Sequence, residues 1–314
     1  MKKIVAVYHA SVPPNNKNLE KPLILQNFGE GVIKNNDQLI SVRDNKFHYS
    51  DVGVIQGWVH TGSKTSNHLE LRNRVVKEQL KHNRYVLVVD SNLFLYKNTA
   101  NPLHYLRYSF NGVFPNTGIY FDTEANPSRW QSISKNLNLT LKDYRTTGNH
   151  ILLCLQRNGG WSMDGYDVQT WTIDTIKKLR AVTDRPIIIR GHPNDSNAKR
   201  YLDPKNPECK IRGFTNVFFS EFGRSLEQDL VSCWAVVNHN SSPTVGAAIE
   251  GYPVFVSDPE RSQCRIIANT DLSKIENPNL PDRQTWVEKI SMSHWNFDEL
   301  RSGEAWAHMR NYCQ

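Results

Sequence analysis

No stretch of this 314-residue chain approaches the roughly 18 consecutive apolar residues that a membrane-crossing helix needs. The five cysteines (Cys154, Cys209, Cys233, Cys264, Cys313) show no CxxC or other metal-ligand spacing. That pattern excludes a zinc ribbon or finger, and an odd, scattered set argues against a disulfide framework and suits a reducing compartment. Internal repeats, heptads and low-complexity segments are absent, so solenoid, coiled-coil and disordered architectures drop out. The apolar run Ile4-Val-Ala-Val-Tyr8, behind Lys2 and Lys3, is too short for the core of a signal peptide. It is read as a first buried strand, and the protein as cytoplasmic with no membrane anchor.

What is present is an ordinary globular composition, 39% hydrophobic and 22% charged, long enough for two domains. The net charge of +7 is unevenly placed along the chain. Residues 1–150 hold 19 Lys and Arg against 11 Asp and Glu, whereas the remainder holds 19 against 20. A basic excess confined to one part suggests that this part meets a polyanion. The plain alternative is solubility charge.

Strand-like and helix-like patterns alternate in both halves. In the first, Ile4–Val7, Val52–Ile55 and Val86–Val89 read as short buried strands. Between the last two, Asn67–Arg84 carries Leu69, Val75, Val76 and Leu80 at near-helical spacing, among the cations Arg72, Arg74, Lys77 and Lys81. A turn-rich stretch over 111–127 shows no long element. From His150 the pattern restarts, with strands at 150–155, 186–189, 216–219, 235–237 and 253–256 and helices at 168–182, 225–233 and 243–250. This is an α/β chain of two doubly wound domains facing a cleft, 1–147 and 148–285, with the Trp-rich segment 286–314 forming helices that pack back across them.

Three elements carry candidate chemistry. Ile187-Ile-Ile-Arg-Gly-His-Pro193 runs a buried strand into Arg190, His192 and Pro193, and ligands of open α/β sheets bind at such carboxyl ends. Val236-Val-Asn-His-Asn-Ser-Ser-Pro-Thr ends a strand in Asn240, Ser241 and Ser242 and opens a helix through Thr244, a ready anion site. Arg157-Asn-Gly-Gly160 follows the first strand of the second half, where Gly159 and Gly160 let a ligand approach the backbone. Each alone also reads as an ordinary strand exit or turn.

The His192-Pro193 pair, the later Ser241-Ser242, the small-residue helix behind it and Gly251-Tyr-Pro-Val-Phe-Val256 resemble the donor-binding domain of GT-B glycosyltransferases. The likeness is to bacterial sialyltransferases and capsule-polysaccharide (Kdo-transferring) enzymes, over roughly residues 150–314. It implies that His192, Ser241 and Ser242 hold the phosphate of a nucleotide sugar, the co-substrate, with no other cofactor. Many such enzymes place a ribose-binding Glu where this chain has Gly246; Glu250 is the nearby carboxylate. Gln56-Gly-Trp58, Val88-Val-Asp90, Asn111-Gly-Val113 and Pro127-Ser-Arg-Trp130 resemble, more faintly, phage-encoded glycosyltransferase-like proteins.

The transfer expected from this likeness needs no metal, in keeping with the absence of an Asp-x-Asp pair. Arg190, His192 and the Ser241–Ser242 turn would neutralise charge developing on the departing phosphate. Asp90, at the tip of Val86–Val89, is the leading candidate for general base, its plain alternative being a turn cap. Asp122, Glu124 and His60 are lesser candidates for the same role, and His60, Arg72, Lys77 and Asp122 are candidates for acceptor contact. The basic first half and the phage-like series point to DNA bearing a hydroxymethylated pyrimidine, which would have to leave the stack; the alternative acceptor is a capsule or lipopolysaccharide glycan. A nucleotide-sugar epimerase and a non-catalytic nucleic-acid-binding module remain as other classes.

Overall fold

The computed structural model describes residues 1–13, 20–59, 66–97 and 101–314. Its strands run in chain order β1 (Ile4–Tyr8), β2 (Gln38–Val42), β3 (Val52–Gln56), β4 (Tyr85–Asp90), β5 (Leu106–Phe110), β6 (His150–Cys154), β7 (Ile187–Arg190), β8 (Val217–Phe219), β9 (Cys233–Asn238), β10 (Val254–Val256) and β11 (His294–Trp295). They form two sheets, ordered β11-β5-β4-β3-β1-β2 and β10-β9-β6-β7-β8. Neighbours β2, β1, β3 and β4 are parallel, β5 runs against β4, and every pairing in the second sheet is parallel. Helices cover the sheets, so each unit is Rossmann-like: apolar parallel strands lie buried between helical layers, as their near-continuous Val, Ile and Leu content requires.

The division of the chain differs from the linear one. One unit comprises Met1–Asn92, Ala100–Asn136 and Glu288–Gln314; the other comprises Leu93–Thr99 and Leu137–Val287. The boundary therefore lies at Leu137, not 148, and the C-terminal segment is an integral part of the first unit. Its strand β11 pairs with β5, and Trp295, Phe297, Leu300, Trp306 and Met309 enter the same core as Val5, Val7, Phe28, Val54 and Leu87. Arg129 fastens it, with its guanidinium bonded to both Glu299 oxygens and to the His294 carbonyl and lying 3.7 Å from the Trp295 ring centre.

Regrouping the charges by unit changes the electrostatic reading. The first unit carries 19 basic and 14 acidic residues, +5, and the second 19 and 17, +2. The C-terminal segment brings four acids to the first unit, and Lys142 and Arg145 belong to the second. The contrast of +8 against −1 was a product of cutting the chain at 150.

Several elements escape a reading by local pattern. Helix Glu20–Lys34 contains Pro22, Gly29 and Gly31, residues that punctuate turns, yet it forms because those glycines admit close neighbours. A Cβ on Gly31 would lie 2.1 Å from the Leu300 carbonyl oxygen, and one on Gly29 would lie 3.2 Å from Leu39 Cδ2. Strands β2 and β5 and helix Pro127–Asn136 likewise depend on partners distant in sequence.

His294, on β11, is fully buried and donates from Nδ1 to the Ile290 carbonyl at 2.9 Å. Burial pushes its pKa down to about 3, with Arg107 and Arg129 reinforcing the shift against that hydrogen bond. Above pH 6.5 the imidazole is neutral folded or unfolded; below it the unfolded chain gains a proton that the folded one refuses, so stability falls with pH from 6.5 towards 3. This group should cost about 2 kcal/mol between pH 7.5 and 5.0. Urea unfolding at the two pH values should show that difference, reduced by the same amount in His294→Asn, whose amide can replace the donor.

Candidate functional site

Strand order reverses in the second sheet between β6 and β9: the chain proceeds from β6 outward through β7 to β8, then crosses to β9 and β10. Such a switch point, at the carboxyl ends of the strands, is where open α/β sheets hold ligands. Cys154 pairs with Arg190 on one side and with Asn238 on the other. Two residues further along each chain stand Gln156, His192 and Asn240, at one level on the carboxyl edge. Because β7 and β9 flank β6, the outer two tips are about 10 Å apart.

The tips are tied together. Gln156 donates from Nε2 to Asn240 Oδ1 (2.8 Å) and accepts the Asn240 N–H (3.3 Å), bridging β6 to β9 through two amides. On the other side Asp195, 7% exposed, accepts the Asn158 N–H (3.0 Å) and the Tyr201 hydroxyl (2.6 Å), joining the loop after β6 to that after β7. Gly159, at φ +68°, faces open space, and a Cβ on Gly160 would lie 2.9 Å from the Arg157 carbonyl, so both glycines are required by the turn. Arg157 is exposed beside it and Pro193 is exposed beyond His192.

The side chains at these tips are donors. Asn194 N–H donates to His192 Nδ1 (3.1 Å), which places the ring proton on Nε2. Burial lowers the pKa of His192, Asp195 opposes the shift and Arg157 adds to it, so the ring acts as a neutral Nε2–H donor. Ser241 Oγ accepts from Asn238 Nδ2 (3.0 Å), leaving its own proton to give; Ser242 is exposed and its hydroxyl does not cap the helix Pro243–Ile249.

His239 and Asp258 belong to the same edge. The Trp171 indole N–H donates to Ser257 Oγ (3.0 Å), so the serine proton is available to His239 Nδ1, 2.7 Å away. The imidazole is also depressed by burial, against the pull of Asp258. Nothing local marked His239 beyond its place between Asn238 and Asn240; Gln156, Asp195 and Asp258 carried no signal except nearness to a strand end.

Three residues expected at this edge serve elsewhere. Arg190 is paired with buried Asp229, which also receives Ser220 Oγ (2.7 Å) and Arg224 Nε (3.0 Å); its guanidinium neutralises that carboxylate rather than a ligand. Thr244 is fully buried and donates to the Ser241 carbonyl (2.8 Å), shaping the turn from within. Glu250 lies at the opposite edge, because the helix 243–249 runs back along the sheet before β10 begins. There it accepts from Lys97 (2.7 Å), Tyr96 (2.9 Å) and Lys142, beside a cavity of about 510 Å³ lined also by the amino ends of β6 and β9. Burial would raise its pKa, but those three donors outweigh it and hold the carboxyl below its usual range. Gly246 is explained by the same contact: a Cβ there would lie 2.4 Å from the Tyr96 ring.

In the first unit the carboxyl edge brings Asp90 and Arg72 together. Asp90 pairs with Arg107 and accepts the Ser91 N–H (2.8 Å). Arg72 is buried, donates from Nε to the Ser11 carbonyl (2.9 Å) and packs on Gly57; burial pushes its pKa down to about 10 against the attraction of Asp90. The remaining candidates are not joined to them. Lys77 is exposed on the outer face of helix Asn67–Lys81. Glu124 lies at the other edge, lining a cavity with Tyr85 at the amino end of β4, and Asp122 precedes it by two residues on the same loop. His60 lies outside the described residues.

All five cysteines are free and buried, and burial pushes Cys154 and Cys264 up to about 12, so neither of these two is an activated thiol. Among the described residues no helix is long and apolar enough to cross a membrane, and no group of three or more His, Cys, Asp or Glu is placed to hold a metal ion.

The fold thus defines an α/β protein of two Rossmann-like units, the second with a donor-rich switch point. No family model matches the chain, and no curated protein matches it in sequence. Among solved structures it is similar to two of Thermosulfurimonas dismutans KpsC. The beta Kdo 2,4 transferase is 13% identical, with a TM-score of 0.48 over 95% of this chain and 97% of that one. The beta Kdo 2,7 transferase is 12% identical, with a TM-score of 0.49 over the whole of both. The UDP-GlcNAc 2-epimerase of Methanocaldococcus jannaschii, in complex with UDP-GlcNAc and UDP, is 14% identical, with a TM-score of 0.31 over 95% and 82%.

Glu250→Gln should lower stability by about 2 kcal/mol, since it leaves Lys97 and Lys142 uncompensated. Urea unfolding of the variant beside the wild-type chain measures the difference.

Proposed function

We propose that the chain is a nucleotide-sugar-dependent glycosyltransferase whose donor phosphate is held at the carboxyl edge of β6, β7 and β9. One observation carries this reading: the register that sets His192, Gln156 and Asn240 level, with the His192 Nε2–H, the Ser241 and Ser242 hydroxyls and the open Gly159–Gly160 backbone around them. Neutral donors grouped at strand tips stabilise negative charge growing on a departing phosphate and need no reorganisation as it grows. Arg157, exposed beside His192, supplies the cation that Arg190 does not.

On the acceptor side we assign Asp90 as the group that takes the hydroxyl proton, with Arg107 and Arg72 fixing its charge environment. The acceptor itself we take to be a glycan, as in capsule or lipopolysaccharide synthesis. A duplex needs several free cations against its phosphates. Here the first unit's excess is only five charges, and Arg72 is buried. DNA carrying a hydroxymethylated pyrimidine is the second reading, favoured by that residual excess and by exposed Lys77.

His192→Ala should abolish sugar transfer while the thermal midpoint stays within a few degrees; unchanged turnover removes the donor-site assignment. Mass spectrometry of the products, with a panel of nucleotide sugars offered to acidic oligosaccharides and to hydroxymethylated DNA, separates the acceptors. An isomerised nucleotide sugar with no acceptor consumed would identify an epimerase instead.

Asp90→Asn should slow the chemical step by roughly two to four orders of magnitude. Single-turnover rates read alongside the melting temperature distinguish loss of the base from loss of the Arg107 pair.

A further inference from the structure

Strand β9, the turn 239–242, helix Pro243–Ile249 and strand β10 form one βαβ unit of adjacent parallel strands. In units of this kind the first turn faces the phosphate, and an acidic residue at the tip of the second strand, about 20 residues on, accepts hydroxyls of the nucleotide's sugar. Asp258 occupies that place, just past the end of β10 and beside the switch point. The strand pairing continues beyond β10 to hold it: Ser257 N–H donates to the Asn238 carbonyl (3.2 Å) and Asp258 N–H to the His239 carbonyl (3.0 Å).

Its carboxylate is used on one side only. Oδ2 accepts from Asn240 Nδ2 (2.9 Å), with His239 Nε2 at 3.8 Å and Arg261 Nε at 3.9 Å. Oδ1 accepts no hydrogen bond among the described residues, and the side chain is 21% exposed. A carboxylate accepts hydrogen bonds at both oxygens and gives none. With one oxygen anchored and the other open, it is oriented to receive neighbouring hydroxyls.

We propose that Asp258 binds a vicinal diol of the donor, and thereby selects a nucleotide carrying one. The assignment rests on the donor-site reading above. Two parts of a nucleotide sugar present this chemistry, the ribose and the transferred sugar, and the test separates them.

Calorimetric titrations would compare the wild-type chain with Asp258→Asn, which keeps an acceptor for Asn240 while removing the charge, and with Asp258→Ser should the first variant melt early. The ligands are UDP, CMP and GDP, their 2′-deoxy counterparts, and UDP-glucose, CMP-N-acetylneuraminate and GDP-mannose. If the ribose is bound, the wild-type preference for ribose over deoxyribose, about ten- to a hundredfold for a charge-assisted bond, falls to near one in the variants. If the transferred sugar is bound, that preference survives and the advantage of nucleotide sugar over bare nucleotide falls by a similar factor. Both ratios unchanged in the variants overturn the assignment of Asp258 while leaving the donor site standing. No binding of any ligand by the wild-type chain overturns the donor-site reading and this assignment with it.

Discussion

Parallel pairing of β6 with both β7 and β9 is the constraint on which the candidate site depends. Parallel strands place all their carboxyl ends on one edge, so loops from distant parts of the chain must emerge together there. Cys154, bonded in register between Arg190 and Asn238, sets the level at which Gln156, His192 and Asn240 appear. The Gln156–Asn240 amide bridge then keeps the tips of β6 and β9 from separating. A slip of one residue in either pairing would turn His192 or Asn240 to the other face of the sheet.

Around that edge the polar groups divide into those satisfied by the protein and those left to act. Arg190 and Asp229 cancel one another beside the sheet, Asp195 is consumed in joining two loops, and Thr244 serves the turn. What remains open is a set of neutral donors, His192, Ser241 and Ser242, with Arg157 outside and Asp258 at the border. The lowered pKa of both His192 and His239 follows from their partial burial, which disfavours the imidazolium form. Preoriented dipoles stabilise a developing anion without a full counter-charge having to be buried beforehand.

The core strands were legible because a buried parallel strand leaves a run of β-branched residues bounded by turn formers, as in Ile187–Ile189 ahead of Gly191 and Pro193. Helix Glu20–Lys34 was not, since its glycines answer to Leu300 and Leu39, far along the chain. The glycine pair after β6 and the His-Pro and Ser-Ser pairs were found from their place at strand ends. His239 and Asp258 were not, because their roles come from each other and from Ser257 and Trp171.

The sequence by itself determined the class of fold and the tips at which candidate ligand groups stand, since hydrophobic period and turn chemistry are local properties. Only the tertiary structure decided which edge each acid occupies and which cation it meets. Glu250 was carried to the amino edge by the direction of the helix before it, Glu124 stands beside the amino end of β4, and Asp90 met Arg107 through an antiparallel pairing. The C-terminal segment joined the first unit by completing its sheet and core. Strand order and direction arise from contacts between residues far apart in the chain, and no window of neighbouring residues contains them.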